Sequence, residues 1–320
     1  MTRRTFAIGV AILAAIIVST VLVRSYIIAW ETAGSNERRD ERIAVVLSGA
    51  SQERWQSASR GIFQACDDLG IRRPQIVYSG AEDDATQLHI AEQEVEAGAR
   101  ALIIVANGDD ETSEGLEALA KTIPIVTLES GTGGDIVAVG ADDDALGAML
   151  RNHIEKNAPN AGKILIIESD AQRESVRERI DGFLRAAGTN ANISSENIGR
   201  LSQTTAKRVS VRMQFANADI AAVFDAETMD IVADAIAAVE IDTKIYGVGI
   251  SEKAIQSLEQ GSTEALCYVD EFSMGYISLM RVAEELGYDV ERYPSEIKTR
   301  IITRDNLFDR DVERLIFPSN

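Results

Sequence analysis

Few residues in this chain could do covalent or metal chemistry. Two histidines, His89 and His153, and two cysteines, Cys66 and Cys267, stand in 320 residues. They are scattered, whereas a metal centre needs clustered donors at short spacing, so neither a metal nor a cofactor is implied. Each cysteine sits inside an apolar stretch, IFQACDDL or EALCYV, and reads as a buried thiol. The glycine groups Gly131, Gly133 and Gly134, and Gly247 with Gly249, lack the third glycine and the helix context of a dinucleotide fingerprint, and read as turns. No phosphate-loop lysine and no G-x-S-x-G nucleophile elbow occur. The acidic groups Asp109, Asp110 and Glu111, and Asp142, Asp143 and Asp144, carry cation-binding side chains, but at helix starts they read as caps and loop charges. No catalytic pair stands out and nothing specific supports an enzyme, so the chemistry expected of the chain is recognition of a ligand.

The elements that must position such recognition alternate regularly. The runs IAVVLS (43–48), QIVYS (75–79), ALIIVA (101–106) and IPIVTL (123–128) are separated by amphipathic stretches. Between the first two, Trp55, Ser59, Ile62, Cys66 and Leu69 fall at helical spacing and stop at Gly70. The rhythm then repeats with KILIIES (163–169), AAVFDA (221–226), KIYGVGI (244–250) and EALCYV (264–269). Strand and helix in alternation predict an α/β fold of two doubly wound parallel-sheet lobes. In such sheets ligands sit beyond the carboxyl ends of the strands, so the residues just after each run are the functional candidates.

Charge and the first residues set the compartment. A net charge of -19 repels phosphate backbones, and no basic run offsets it, so nucleic acid is excluded as a partner. With 45% hydrophobic residues the chain is long enough for two cores. Phe6 to Val23 is an uncharged apolar run that as a helix spans roughly 27 Å, about a bilayer's hydrocarbon thickness. No small-residue cleavage site follows closely, and the first cysteine is too distant for lipid attachment. Residues 6–23 therefore read as a retained transmembrane signal anchor behind a cytoplasmic tail (1–5), with the polar stretch 24–41 as a linker to an extracytoplasmic body.

Seven segments, in order, resemble one family: IAVVLSGASQERWQSASRGIFQACDDLG, IPIVTLES, VGADDDALG, RESVRERIDGF, AAVFDAETMDIV, YGVGIS and YVDEFSMGYISL. Together they are similar to the ribose- and galactose-type periplasmic sugar-binding proteins, whose fold the lactose repressor core shares. The resemblance implies two lobes, 42–142 with 270–299 and 143–269 with 300–320, joined by three hinge segments and closing on a ligand like a clamshell. It also implies site residues. Ser51, Arg54 and Trp55 stand in the first loop, where an aromatic stacks on the sugar face, with Trp55 as the platform or else a lobe-packing residue. Arg177, first arginine of RERIDGF, stands at the family's ligand arginine, its alternative being a surface ion pair to Glu174 or Asp181. Glu129 and Ser130 replace the family's Asp-Arg after the fourth strand, Glu227 heads the pair replacing Asn-Asp, and Ser251 stands for an aspartate. Val269 stands for a glutamine beside a retained Asp270, and Asp143 fits the crossover position. These exchanges imply a pocket more acidic than a ribose site, whose carboxylates need hydroxyl, ammonium or guanidinium partners.

Three functions compete for this frame. The first is a sugar receptor for an ABC-type membrane permease. The second is a sensory co-receptor for a membrane histidine kinase, and the third a module that has lost its ligand and serves only as an interaction domain.

Overall fold

A computed structural model describes residues 23–24, 41–48, 52–79, 84–106, 108–169, 173–188, 191–199, 205–239 and 242–316. Apart from residues 23, 24 and 41, the expected anchor and linker lie outside these, as does Ser51. Among the described residues no helix is long and apolar enough to cross a membrane.

The first sheet is parallel, in the order β2-β1-β3-β4-β5, from β1 (Ile43–Ser48), β2 (Ile76–Ser79), β3 (Ala101–Ile104), β4 (Ile125–Leu128) and β5 (Val137–Val139). β1 is buried at all six positions, as a central strand covered on both faces must be. Ile43, Val45 and Leu47 face α1 (Gln56–Leu69) and α9 (Glu271–Glu285), while Ala44 and Val46 face α2 (Asp84–Glu96) and α3 (Asp110–Leu119). This is the two-residue alternation of a strand between two helical layers.

The second sheet runs β11-β10-β9-β8-β6-β7, from β6 (Ile164–Glu168), β7 (Ile193–Asn197), β8 (Ile220–Val223), β9 (Lys244–Val248), β10 (Thr263–Val269) and β11 (Thr299–Thr303). All its pairings are parallel except β10 with β11. Ile164 and Ile166 pack towards α4 (Asp143–Asn157) and α5 (Glu174–Ala187). Leu165 and Ile167 pack towards α6 (Thr205–Ala216), α7 (Ala226–Ala238) and α8 (Glu252–Gln260). A short α10 (Arg310–Ile316) closes the chain. Cys66 and Cys267 are free and buried, and burial pushes each thiol up to about 12.

The chain crosses between lobes three times, before α4, between β10 and α9, and again before β11. The last two crossings touch, Asp270 N–H donating to the Lys298 carbonyl at 2.9 Å. Beside the crossings each lobe carries one close helix pair seated on glycine. A Cβ on Gly61 of α1 would lie 2.0 Å from the Phe272 carbonyl of α9, and one on Gly147 of α4 would lie 1.9 Å from the Arg179 carbonyl of α5. No other residue permits backbones to approach so closely. These pairs carry Glu271 on α9 and Asp143 and Arg179 on α4 and α5.

Candidate functional site

Helix starts gather at the carboxyl ends of both sheets. Asp109, Asp142, Asp225, Ser251 and Asp270 each cap one, accepting from the backbone N–H three residues on at 2.8 to 3.0 Å. The acidic groups at 109–111 and 142–144 thus supply caps and first-turn charges that favour the helix dipole. Between these ends lies a cleft of about 750 Å³, within the range of small-molecule sites.

Its floor is an ion network centred on Glu129. That residue follows β4 directly, is 4% exposed, and holds a left-handed φ of 70°. Such a conformation costs a side-chain-bearing residue about 1 kcal/mol or more, and β5 maintains it through the Glu129 N–H, which donates to the Val139 carbonyl at 2.9 Å. Three guanidinium groups converge on the carboxylate: Arg54 of the first lobe at 3.0 Å, and Arg173 at 2.9 Å and Arg179 at 3.2 Å from the second. Arg54 also pairs with Glu271. Arg179 gives its Nε–H to Asp143 at 2.6 Å and an Nη1–H to the Phe224 carbonyl at 3.0 Å. Ser130 adds a second bridge between lobes, its hydroxyl donating to Ser175 Oγ at 2.8 Å.

Electrostatics divides this floor. Burial alone would raise Glu129, but Arg173, Arg54 and Arg179 outweigh it and hold the carboxyl down at about 2. Asp143 goes the other way, up to about 7, because burial dominates and Arg179 shares its charge with Glu129. Glu271 is also raised, by burial first, against the pull of Arg54. The floor therefore binds Glu129 as an anion and keeps protons within reach of its neighbours.

The residues singled out from sequence separate into groups. Arg54, Glu129, Glu227, Ser251 and Val269 line the cleft. Asp143 and Ser130 lie beneath it as supports, and Asp270 is a cap. Trp55 requires correction: it is fully buried, its indole N–H donates to the Ser48 carbonyl, and the Arg54 guanidinium covers its ring 4.2 Å from the centroid. Its ring is a packing element tied to the end of β1, and Arg54 presents the polar surface instead. Arg177 requires correction too, being exposed on α5 and outside the cleft. The buried face of that helix is Ser175, Val176, Arg179, Gly182 and Phe183, a helical stripe that excludes position 177 and selects Arg179. That stripe was present in the sequence and would have found Arg179. Arg173, Asp225, Asp230 and Glu271 were also missed; each precedes or opens a helix after a strand, or follows one turn later.

A periplasmic binding protein domain matches residues 43–287 of the chain. No curated protein matches its sequence. Among solved structures it resembles a carbohydrate-transporter solute-binding protein from Agrobacterium radiobacter in complex with D-arabinose, at 20% identity and TM-score 0.74, covering 87% of this chain and 99% of that one. An ABC transporter solute-binding protein from Agrobacterium vitis with bound D-fucose is 17% identical, TM-score 0.75, covering 86% and 100%. A structure of the XylFII–LytSN complex matches at 16% identity and TM-score 0.71, covering 82% and 98%. These likenesses carry the fold, and the domain match spans most of the sequence. The chain belongs to the periplasmic binding protein domain family, and its two parallel-sheet lobes are a type I periplasmic-binding fold.

Proposed function

We propose that this protein is an extracytoplasmic receptor that binds a small, sugar-like solute between its lobes and presents the closed form to a sugar-uptake permease of the ABC type. The supporting observation is the cleft itself: it lies at the carboxyl ends of both sheets, is lined by residues of both lobes, and has a floor, Glu129, to which both lobes contribute guanidinium groups. A ligand that touches both walls stabilises closure by its differential affinity for the closed form. The residues in the cleft are suited to hydrogen bonding, and the family and its neighbours are binding proteins, which supports a binder over an enzyme. The neighbours named for bound D-arabinose and D-fucose support a monosaccharide-sized ligand.

A second reading keeps the ligand chemistry and changes the output. The apolar run from Phe6 to Val23 would hold the body at the cell membrane, as a sensory co-receptor beside a membrane histidine kinase requires, and the XylFII–LytSN neighbour is itself a complex of two proteins. Co-purification of a permease or a kinase from the native membrane separates the two.

The test of binding is a thermal-shift screen of the full chain in mild detergent against mono- and disaccharides, sugar acids, amino sugars, polyamines and nucleosides. A ligand at 100 times its dissociation constant adds about 2.7 kcal/mol to stability, a shift of a few degrees for lobes of this size. A flat response across the panel would overturn the receptor reading in favour of an interaction module without a ligand.

A further inference from the structure

The two walls of the cleft differ in charge. Three arginines line it, Arg54, Arg60 and Arg179, against six carboxylates, Glu129, Glu227, Asp230, Glu252, Glu259 and Glu271. The lining is left three negative charges in excess. Arg54 and Arg179 are already engaged at the floor, by Glu129, Glu271 and Asp143. The second lobe's wall beyond them carries Asp230, Glu252 and Glu259, together with Glu227, which pairs with Arg173 at 3.8 Å; Lys253 pairs with Asp234 at 2.8 Å and exerts a weaker pull on Asp230. Asp230 is half-buried there, accepts the Ser251 hydroxyl, and has its carboxyl raised by burial. A carboxylate so placed gains most from a ligand that brings positive charge with it.

The first lobe's wall makes a separate demand. Arg54, whose side chain is 9% exposed, has its Nε–H buried without an acceptor, and Arg60 beside it has the same. Both line the cleft. Buried donors of this kind are completed by oxygen acceptors. A protonated polyamine would answer the acidic wall but offers no acceptor to these arginines. An anionic sugar would answer the arginines and be repelled by the lining's excess negative charge. The lining also offers one aromatic ring, Tyr268, among its described residues, so polar contacts must supply more of the recognition than ring stacking does.

Building on the receptor reading, we propose that the cleft selects an amine-bearing polyol, an amino sugar of monosaccharide size, with its ammonium against Asp230 and the adjoining acidic wall and its hydroxyl oxygens accepting from Arg54 and Arg60. The charge difference between the walls orients the ligand, amine towards the second lobe.

Titration calorimetry on the full chain in mild detergent tests this with matched pairs, glucosamine against glucose and galactosamine against galactose, alongside putrescine and a neutral amino acid. The expected result is at least tenfold tighter binding of an amino sugar than of its neutral counterpart. Asp230→Asn should then weaken the amino sugar at least tenfold more than the neutral sugar, at an unchanged melting temperature, while Asp230→Glu retains the preference. Equal or tighter binding of the neutral sugars would overturn the amine assignment and leave the receptor reading intact. Binding of putrescine or the amino acid in preference to every sugar would overturn the polyol half. No binding by any of these and by the wider panel would remove both readings.

Discussion

The floor and the outer wall of the cleft both draw on residues beyond strand carboxyl ends and on the helices that follow them, yet they are electrostatically unlike. At the floor Glu129 receives three guanidinium groups from two lobes, and Asp143, Ser130 and the Phe224 carbonyl complete the network, with side chains only a few per cent exposed. On the outer wall Asp230, Ser251 and Arg60 are half-buried, and the Nε–H of Arg60 lacks an acceptor. The difference teaches a division of labour: the floor pairs its charges and ties the lobes together, although the Nε–H of Arg54 and one amino group of Arg173 still lack a hydrogen-bond acceptor, while the wall carries the excess negative charge. Ion pairs as buried as those of the floor add little over apolar packing, but cost a great deal to break singly, so they fix geometry more than they add stability.

The sharpest way to break this contrast is Glu129→Gln. Three buried guanidinium groups lose their shared counter-charge, and we expect a loss of about 3–5 kcal/mol in urea unfolding. The exposed wall residue Glu252, changed to Gln, should stay within about 0.5 kcal/mol. Equal effects would erase the distinction between floor and wall.

Within the floor, pH separates its two carboxylates. Asp143 holds its proton up to about 7, well above the ~3.9 of an unfolded aspartate. Its contribution to stability is therefore complete below about pH 4 and is lost as pH rises through 7, at up to about 1.4 kcal/mol per pH unit. Glu129, at about 2, contributes above its unfolded value near 4.3 and loses that contribution as pH falls towards 2. Asp143→Asn should flatten the decline between about pH 5 and 7 without altering the acid limb, as read by denaturant unfolding across pH.

A smaller effect falls on the helix pairs that carry the floor. Gly147→Ala places a Cβ 1.9 Å from the Arg179 carbonyl and should cost about 1–3 kcal/mol through overpacking, with Gly61→Ala in the other lobe costing a similar amount. The smallest expected change is Arg177→Ala, within about 0.5 kcal/mol by thermal unfolding and without effect on solute affinity, because its side chain is exposed and outside the cleft.

Most central strands were readable because β-branched runs buried on both faces, such as IAVVLS and ALII, admit few other structures. The edge strand β2 was readable too, as QIVYS, but the edge strands β5, β7 and β11 were not. β7, ISSEN, is mostly polar, and β5 has only three residues, two of them exposed; both depend on pairing to neighbours that sequence does not display. β11, TRIIT, had a β-branched run but pairs antiparallel at the end of an otherwise parallel series. At the site, Glu129 and Glu227 were legible as carboxylates where strands end. The three arginines meeting at Glu129 come from positions up to 125 residues apart along the chain, 54 to 179, and nothing local announces their meeting. Trp55 misleads because an aromatic in the first loop is compatible with either a platform or a pin, and only the Ser48 carbonyl and the covering Arg54 decide for the pin.

The most direct test of cleft binding is to block the cleft. Ser57 is half-buried, carries no charge and lines the cleft from the first lobe, so Ser57→Trp fills the space with a large ring without removing any member of the ion network. Calorimetric titration of whichever solute stabilises the unaltered protein should then show affinity reduced at least a hundredfold at an unchanged melting temperature. Unaltered affinity in a folded Ser57→Trp protein would place the solute elsewhere and contradict the cleft as the binding site.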